Sequence, residues 1–299
     1  MIRFLLTVFL TMTILSACTP QAPTSQEKPT YKIGYMICDS EKETLARFLP
    51  LTKYLSKKMG VNFEAVTIDT INFPNEVENL DFTHTNSLLY IMMHRFNGVD
   101  ILAVEKRGSL GARSKGIIAV LKKSGIKTLS DLKGKNMLFG PMLAPTGFMS
   151  QIDILQSGGI DPEKDLVFYT IPRGSFKHEK VIYGVMYEKY DAGAFPFNDF
   201  ELMSQDGRID PEDFIILAEG PVIPYCNFAA TQKVDESFAK KFKKELLAIR
   251  PEDTVEIDGE TVKVLSKALI DGFEDITDAD FNIVREMAKR TNMPPYQNY

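Results

Sequence analysis

A strand, a tight loop and the start of a helix follow one another between residues 132 and 149. Met137 to Gly140 is a short apolar run typical of a buried strand, and the proline and glycine residues after it favour a tight loop. Thr146 is a candidate N-cap for the helix that follows and also the first candidate ligand residue, although one hydroxyl cannot serve both roles fully. At such a junction the backbone N–H groups of Gly147 and Phe148, together with the positive end of the helix dipole, can hold a small anion. Since no nucleophile stands beside a base here, the stretch predicts ligand binding and no catalysis.

The composition is that of an acidic globular protein. The 299 residues are 44% hydrophobic, which is enough for two domains with cores of their own. The net charge is −5, and nucleic acid is excluded as an expected partner because its binding requires clustered basic residues. His-x-x-x-His, Cys-x-x-Cys, Gly-x-Ser-x-Gly and P-loop motifs are absent from the sequence. We therefore expect neither an enzyme nor a cofactor.

The N-terminus has the features of a secretion signal. Arg3 precedes an apolar run from Phe4 to Ile14, which is too short to span a membrane. The run ends in Leu-Ser-Ala-Cys18, which resembles the lipobox of bacterial lipoproteins, where cleavage precedes the cysteine and the cysteine carries the lipid. A plain signal peptide with an incidental cysteine is the alternative. We predict a signal peptide over residues 1–17 and, from its Pro, Gln, Ser and Thr content, a solvated tether over residues 18–30.

Strand and helix patterns alternate from Tyr31 onward. This alternation predicts an α/β fold with mostly parallel sheets. Two polar connections, residues 106–115 and 219–224, interrupt it and mark candidate domain boundaries.

The C-terminal region gives two conflicting signals. Residues 254–264 alternate around Asp258 and Gly259, which is a strong local hairpin pattern. Val264, Leu265 and Ala268 also fit one face of a helix. We predict a helix over residues 261–272.

Several stretches of the chain occur in a characteristic order. They are residues 48–55 before Gly60, residues 132–147, Gly158-Gly159-Ile160-Asp161-Pro162, Asp191-Ala192-Gly193-Ala194, Ile223-Pro224 and residues 280–285. In this order they resemble the phosphate/phosphite/phosphonate-binding proteins of ABC transporters, and the resemblance covers the chain from about Tyr31 to Arg285.

The resemblance implies the type II periplasmic binding protein fold, in which two α/β lobes are joined by two crossover strands. Lobe 1 would comprise residues 31–112 and 222–299, and lobe 2 residues 113–221. The protein would be a monomeric, non-enzymatic solute-binding protein that holds a small oxyanion of the phosphonate or phosphate type in the interlobe cleft. It would serve an ABC permease from the periplasm or the outer face of the cytoplasmic membrane, anchored through lipidated Cys18.

The resemblance also points to site residues in both lobes. Asn86, Ser87 and Tyr90 fall where the family holds an aromatic hydroxyl near a helix start, although a capped helix with a packed tyrosine is the alternative. His178 falls in a stretch similar to the Gly-Ser-His-acid sequence of the family. Asp199 falls where the family places polar groups of the cleft, and it could equally cap a helix.

The loop after the strand departs from the family pattern. Where the family commonly has Asp-Pro-Asn-Ser-Thr-Ser-Gly, residues 141–147 read Pro-Met-Leu-Ala-Pro-Thr-Gly. Two hydroxyls are missing, and Pro145 also lacks an N–H. A hydrogen bond to a charged group contributes about 1.5 to 3 kcal/mol, so either the ligand differs or other groups compensate. Met142, Leu143 and Phe148 predict a more apolar pocket, suited to a ligand with an organic body.

Two other classes of function stay open. Cys38 and Cys226 are both expected near the cleft, and with Met36, His84 and His178 they would suit copper(I) or zinc. A disulfide or two buried thiols are the alternatives for this pair. The same fold could also serve as a sensor module that reports its ligand to a membrane partner.

Overall fold

A computed structural model describes residues 28–38, 40–172 and 178–298. The predicted signal peptide, Cys18 and the tether up to residue 27 lie outside the described residues, as does the greater part of the stretch that precedes His178.

Strands and helices alternate along the described chain. The strands are β1 Thr30–Met36, β2 Asn62–Ile68, β3 Phe82–Thr85, β4 Asp100–Lys106, β5 Arg113–Ser114, β6 Gly116–Leu121, β7 Asn136–Phe139, β8 Phe168–Thr170, β9 Ala192–Pro196, β10 Phe214–Glu219, β11 Ile223–Pro224, β12 Asn227–Ala230, β13 Thr254–Ile257, β14 Glu260–Lys263 and β15 Gly272–Glu274. The α-helices are α1 Glu41–Met59, α2 Phe73–Glu76, α3 Ser87–Asn97, α4 Ser150–Ser157, α5 Pro162–Asp165, α6 Glu179–Met186, α7 Phe197–Gln205, α8 Glu236–Ala248 and α9 Asn282–Arg290.

Two large sheets organise these elements. One has the strand order β15-β4-β12-β3-β1-β2, and the other has the order β10-β6-β9-β7-β8. Both sheets are mixed. In the first, β1 is parallel to β2 and β3, while β12 is antiparallel to both of its neighbours. In the second, β7 is parallel to β8 and β9, while β6 is antiparallel to both of its neighbours. The antiparallel strands β6 and β12 are those that follow the two connections between the sheets.

The two connections lie side by side. Strand β5 of the first connection pairs antiparallel with β11 of the second, with Ile223 opposite Ser114. The predicted boundaries at residues 112 and 222 fall directly beside this pair. The division of the chain into lobes at those residues stays a prediction.

Helices cover both faces of each large sheet. On one face of the first sheet, Phe82 of β3 stacks on Phe242 of α8 with ring centroids 4.0 Å apart. On the other face, Leu89 of α3 and Val284 of α9 belong to a second apolar cluster. Full burial of one such side chain contributes about 1.5 to 3 kcal/mol, so these faces hold each sheet rigid under the loops at its edge.

The prediction for the C-terminal region was wrong. Strands β13 and β14 form a hairpin, and residues 261–272 are not helical. Asp258 and Gly259 take positive φ angles of 52° and 84°, as the two-residue turn requires. Val264, Leu265 and Ala268 are buried as the helical pattern suggested, but they lie in turns after the hairpin. Among the described helices, none combines the length and the apolar character needed to cross a bilayer.

Candidate functional site

A cavity of about 470 Å³ lies where residues from the two large sheets meet. Cys38 follows β1, Glu105 belongs to β4, Pro141 follows β7 and Pro196 ends β9, and all four line the cavity. The cavity is therefore placed at the carboxyl ends of strands, where α/β sheets commonly bind ligands. Its basic and acidic lining residues are Arg47, Arg107, Arg208, Lys267, Glu105, Glu179, Asp199 and Asp206.

The helix start after β7 differs from the prediction. Residues Pro145–Met149 form a π-helical turn, and the regular helix α4 begins only at Ser150. The carbonyl oxygen of Ala144 accepts hydrogen bonds from the N–H groups of Gly147 at 3.3 Å, Phe148 at 3.0 Å and Met149 at 3.3 Å. The Gly147 and Phe148 donors assigned to an anion are thus already used, and neither residue lines the cavity.

Thr146 does not cap the helix. It is only 6% exposed, it lines the cavity, and its hydroxyl makes no hydrogen bond to any described residue. Its carbonyl oxygen instead accepts a 2.7 Å hydrogen bond from Nε2 of Gln151, which helps to hold the wide turn. The predicted conflict between capping and ligand binding is therefore removed, and the hydroxyl remains available to a ligand.

His178 packs directly on the loop that precedes α4. A Cβ atom added at Gly140 would come within 2.7 Å of the Nδ1 atom of His178, and one at Gly147 would overlap the same ring. Glycine is needed at both positions because only it allows this approach. Within the described part of the chain the buried Nδ1 has no hydrogen-bond partner, and burial lowers the pKa of His178 below its ordinary value, with only partial compensation from Asp199 and Glu179. The ring is therefore a neutral group of the cavity wall.

Two of the three predicted residues at the start of α3 have structural roles. Oδ1 of Asn86 caps the helix by accepting from Leu88 and Leu89, each at 3.0 Å, and Nδ2 donates to the Leu143 carbonyl oxygen at 3.0 Å. The prediction for Tyr90 was wrong, because its hydroxyl donates to Asp278 at 2.8 Å and the residue does not line the cavity.

Asn86 also lines the cavity and stays a candidate ligand residue, and so does Ser87. The Ser87 side chain is 1% exposed and lines the cavity, and its hydroxyl has no hydrogen-bond partner among the residues that the structure describes. Such a buried hydroxyl is costly unless a partner reaches it.

Arg107 is the cavity residue that the sequence did not reveal. Its Nη1 donates to the Tyr225 hydroxyl at 3.0 Å, and the ion pairs found among the described residues do not include it. Although burial lowers the pKa of Arg107, the neighbouring Tyr225, Asp199 and Glu105 raise it above its ordinary value. Arg107 lies at the start of a polar connection, so its sequence surroundings are those of a surface residue. The one sequence signal that could have indicated a site residue is its position directly after the end of a strand.

Asn198, at the start of α7, holds the segment that carries Arg107. Its Oδ1 accepts from the Ser114 hydroxyl at 2.8 Å, and its Nδ2 donates to the carbonyl oxygens of Arg107 at 3.2 Å and Arg113 at 3.3 Å. The next residue, Asp199, is half-buried in the cavity wall, and its role in ligand binding stays a prediction. No side chain caps α7, so the alternative role of Asp199 as a cap is wrong.

The remaining charged groups are largely paired. Arg208 contacts Glu179 at 2.7 Å and Asp206 at 2.9 Å. Glu105 and His84, both nearly inaccessible to solvent, meet at 2.9 Å. Arg47 donates from Nη2 to the Ala268 carbonyl oxygen at 3.2 Å, and Lys267 is exposed at the rim of the cavity. Arg107 and Asp199, which lie near each other in the cavity wall, are the charged groups that we expect to respond most to a ligand.

Cys38 and Cys226 both line the cavity as thiols. Burial raises the pKa of Cys226 well above its ordinary value, so this thiol stays protonated at neutral pH. Within residues 28–38, 40–172 and 178–298, His, Cys, Asp and Glu side chains form no group of three or more that could hold a metal ion. The geometry therefore gives the soft-metal alternative no support.

Residues 33–281 match the family model of the ABC transporter, phosphonate, periplasmic substrate-binding protein. Two solved structures with the same fold are similar to the chain. PhnD1 from Prochlorococcus marinus, in complex with methylphosphonate, is 18% identical with a TM-score of 0.72, over 88% of this chain and 98% of that one. A binding protein component of an ABC phosphonate transporter from Pseudomonas aeruginosa is 15% identical with a TM-score of 0.71, over 89% and 87%. The predicted type II periplasmic binding protein fold is thereby confirmed.

A curated relative belongs to a different class of protein. The tetrathionate sensor histidine kinase TtrS of Salmonella typhimurium is 24% identical over 234 residues, which are 73% of this chain and 39% of the kinase. The chain thus spans about two fifths of the length of that relative.

Proposed function

The chain belongs to the family of periplasmic substrate-binding proteins of phosphonate ABC transporters, and on this premise we propose that it captures a small oxyanion in the cavity and delivers it to an ABC permease. Members of the family bind substrates outside the cytoplasm and are not enzymes. The observation that carries the proposal is the cavity between the two sheets, where the charged Arg107 and the unpartnered hydroxyl of Ser87 meet apolar walls.

The lining suits an organic oxyanion. Phe48, Leu143 and Leu202 provide apolar surface, whereas Arg107 and Thr146 provide polar donors. Pockets of this volume, mostly apolar with a few placed polar groups, are typical sites for small molecules. Met142 and Phe148 contribute less than predicted, because Met142 is 58% exposed and Phe148 packs against Phe139.

Lipid attachment at Cys18 forms part of the proposal. The lipid would keep the protein close to the permease, either in the periplasm or on the outer face of the cytoplasmic membrane. The lipobox-like sequence before Cys18 supports this placement.

A thermal-shift screen of phosphonates, phosphate, sulfonates and carboxylates would test binding, because a ligand selective for the native state raises the melting temperature. For the best compound, small-angle X-ray scattering should show a smaller radius of gyration, since both sheets contribute groups that the ligand draws together. A stabilising compound that leaves the radius unchanged would contradict closure as the mechanism, and a screen without any stabilising compound would contradict oxyanion capture.

A sensor role is the second candidate, and the similarity to TtrS supports it. In this role the same cavity would bind a sulfur oxyanion and report it to a membrane kinase. Gene neighbours discriminate between the two roles. A permease and an ATPase beside the gene would support uptake, whereas a histidine kinase that lacks its own sensor domain would support sensing.

A further inference from the structure

The loop before α4 has few donors left for an anion. Ala144 accepts the N–H groups of residues 147–149, the N–H of Ala144 itself donates to Pro141 at 2.9 Å, and Pro145 has no N–H. An oxyanion in this cavity must therefore find its charge partner on another segment.

Arg107 has the position and the chemistry to pair with an oxyanion in the cavity. It lines the cavity, and its one hydrogen bond within the described residues, from Nη1 to the Tyr225 hydroxyl, leaves further N–H donors of the guanidinium available. The bonds from Asn198 to the Arg107 and Arg113 carbonyl oxygens fix the backbone beneath it. A guanidinium held in this way binds the oxygens of an oxyanion through parallel hydrogen bonds.

The charge balance of the cavity limits what Arg107 can neutralise. Four basic and four acidic residues line the described cavity. Arg208 is shared by Glu179 and Asp206, Arg47 donates from Nη2 to the Ala268 carbonyl oxygen at 3.2 Å, and Lys267 is exposed at the rim. Asp199 and Glu105 lie near Arg107 and raise its pKa. One anionic charge on the ligand would pair with Arg107, and a second one would lie close to these two carboxylates, where like charges repel strongly because the site is buried.

Building on the proposed function, we propose that Arg107 anchors the anionic group of the ligand and that the cavity selects singly charged organic oxyanions, such as sulfonates, over doubly charged phosphonates. The organic part would lie against Phe48, Leu143 and Leu202. Arg107 thus replaces the hydroxyl donors that residues 141–147 lack and sets the charge of the preferred ligand.

Calorimetric titration with ethanesulfonate and ethylphosphonate tests this selection, because the two probes have similar size and differ in charge. At pH 8.5, where the phosphonate carries its second charge, we expect ethanesulfonate to bind at least tenfold more tightly. At pH 6, where the phosphonate is mostly singly charged, the difference should shrink. Tighter binding of ethylphosphonate at pH 8.5 would overturn the proposal.

Four variants test whether Arg107 sets this preference. Arg107→Gln should weaken ethanesulfonate binding at least a hundredfold and Arg107→Lys should weaken it less, while the matched control Arg250→Gln, at an exposed position outside the cavity lining, should change it less than threefold. Asp199→Asn should reduce the ratio of the ethanesulfonate affinity to the ethylphosphonate affinity, because it removes a carboxylate that repels the second charge of the phosphonate. Melting curves would verify that each variant is folded, and unchanged sulfonate binding by folded Arg107→Gln and Arg107→Lys would also overturn the proposal.

The outcome separates this inference from the proposed function. Suppose that neither ethanesulfonate nor ethylphosphonate binds, while another oxyanion from the screen raises the melting temperature and reduces the radius of gyration. The proposed selection by Arg107 is then wrong, and oxyanion capture stands. If no oxyanion of any charge binds, oxyanion capture itself is wrong.

Discussion

At the scale of single residues, Thr146 shows how a side chain can be free for a ligand although the sequence assigns it a cap. Its hydroxyl lines the cavity without a partner among the described residues, so Thr146→Ala should leave the free energy of unfolding within about 0.5 kcal/mol of the parent. Loss of one hydrogen bond to a ligand should weaken binding about tenfold.

Calorimetry with the compound that stabilises the parent most in the screen, beside urea unfolding, measures both quantities for Thr146→Ala. Thr146→Ser, which keeps the hydroxyl, is the matched control and should bind nearly as the parent does. A variant that unfolds more easily yet binds with parental affinity would show that the hydroxyl has a structural role.

His178 gives the protein a pH dependence at the same scale. Burial lowers its pKa in the folded state, with Arg107 acting in the same direction and Asp199 and Glu179 opposing. The unfolded state then binds the proton more readily, so stability from this residue is complete above about pH 6.5 and falls as the pH drops below that value. Urea midpoints between pH 7.5 and 5.5 should therefore fall more for the parent than for His178→Asn. Parallel decreases in the two proteins would show that His178 does not contribute.

At the scale of elements, the hairpin of β13 and β14 shows local turn chemistry prevailing over a helical pattern. Gly259 has a φ of 84°, a conformation that costs a residue with a Cβ about 1 to 2 kcal/mol. Gly259→Val should thus lower the free energy of unfolding by about that amount or more, as measured by urea denaturation. Lys263→Ala, at an exposed position of β14, is the control and should have little effect. Equal stability of Gly259→Val and the parent would contradict the turn.

The π-helical turn before α4 is the element whose consequence for the site is largest. Its wide geometry directs three N–H groups to one carbonyl oxygen, where a regular capped helix start would present unpaired N–H groups to an anion. The strand β7 and the later helix were predicted correctly from their apolar periodicity. The turn between them was not, because the bonds of Gln151 to Thr146, Ile117 and Phe195 come from the folded surroundings.

At the scale of the whole molecule, the proposed membrane attachment depends on the thiol of Cys18. If Cys18 carries the lipid, Cys18→Ala should move the protein from the membrane fraction to the soluble extracytoplasmic fraction, because the acyl group has no other site of attachment. Immunoblots of the two fractions measure this. Cys38→Ala is the matched control and should stay with the membrane, and retention of Cys18→Ala there would refute the lipobox.

The sequence by itself determined the order of strands and helices, the two connections between sheets and the family. Apolar periodicity, turn residues and ordered motifs are local features, and a local pattern is enough to specify them. The hairpin turn at Asp258 and Gly259 is also specified by a local pattern, because the sequence contains the hairpin signal beside the helical one.

Only the tertiary structure decided which polar groups of the site are free. The Tyr90 hydroxyl donates to Asp278, and the N–H groups of Gly147 and Phe148 donate to the Ala144 carbonyl oxygen. Arg107 lines the cavity although it lies in a connection whose sequence resembles a surface loop. The reason is physical. Most buried donors and acceptors in a folded protein have a hydrogen-bond partner, and which partner each one finds depends on residues distant in the chain, such as Asp278, which lies 188 residues from Tyr90.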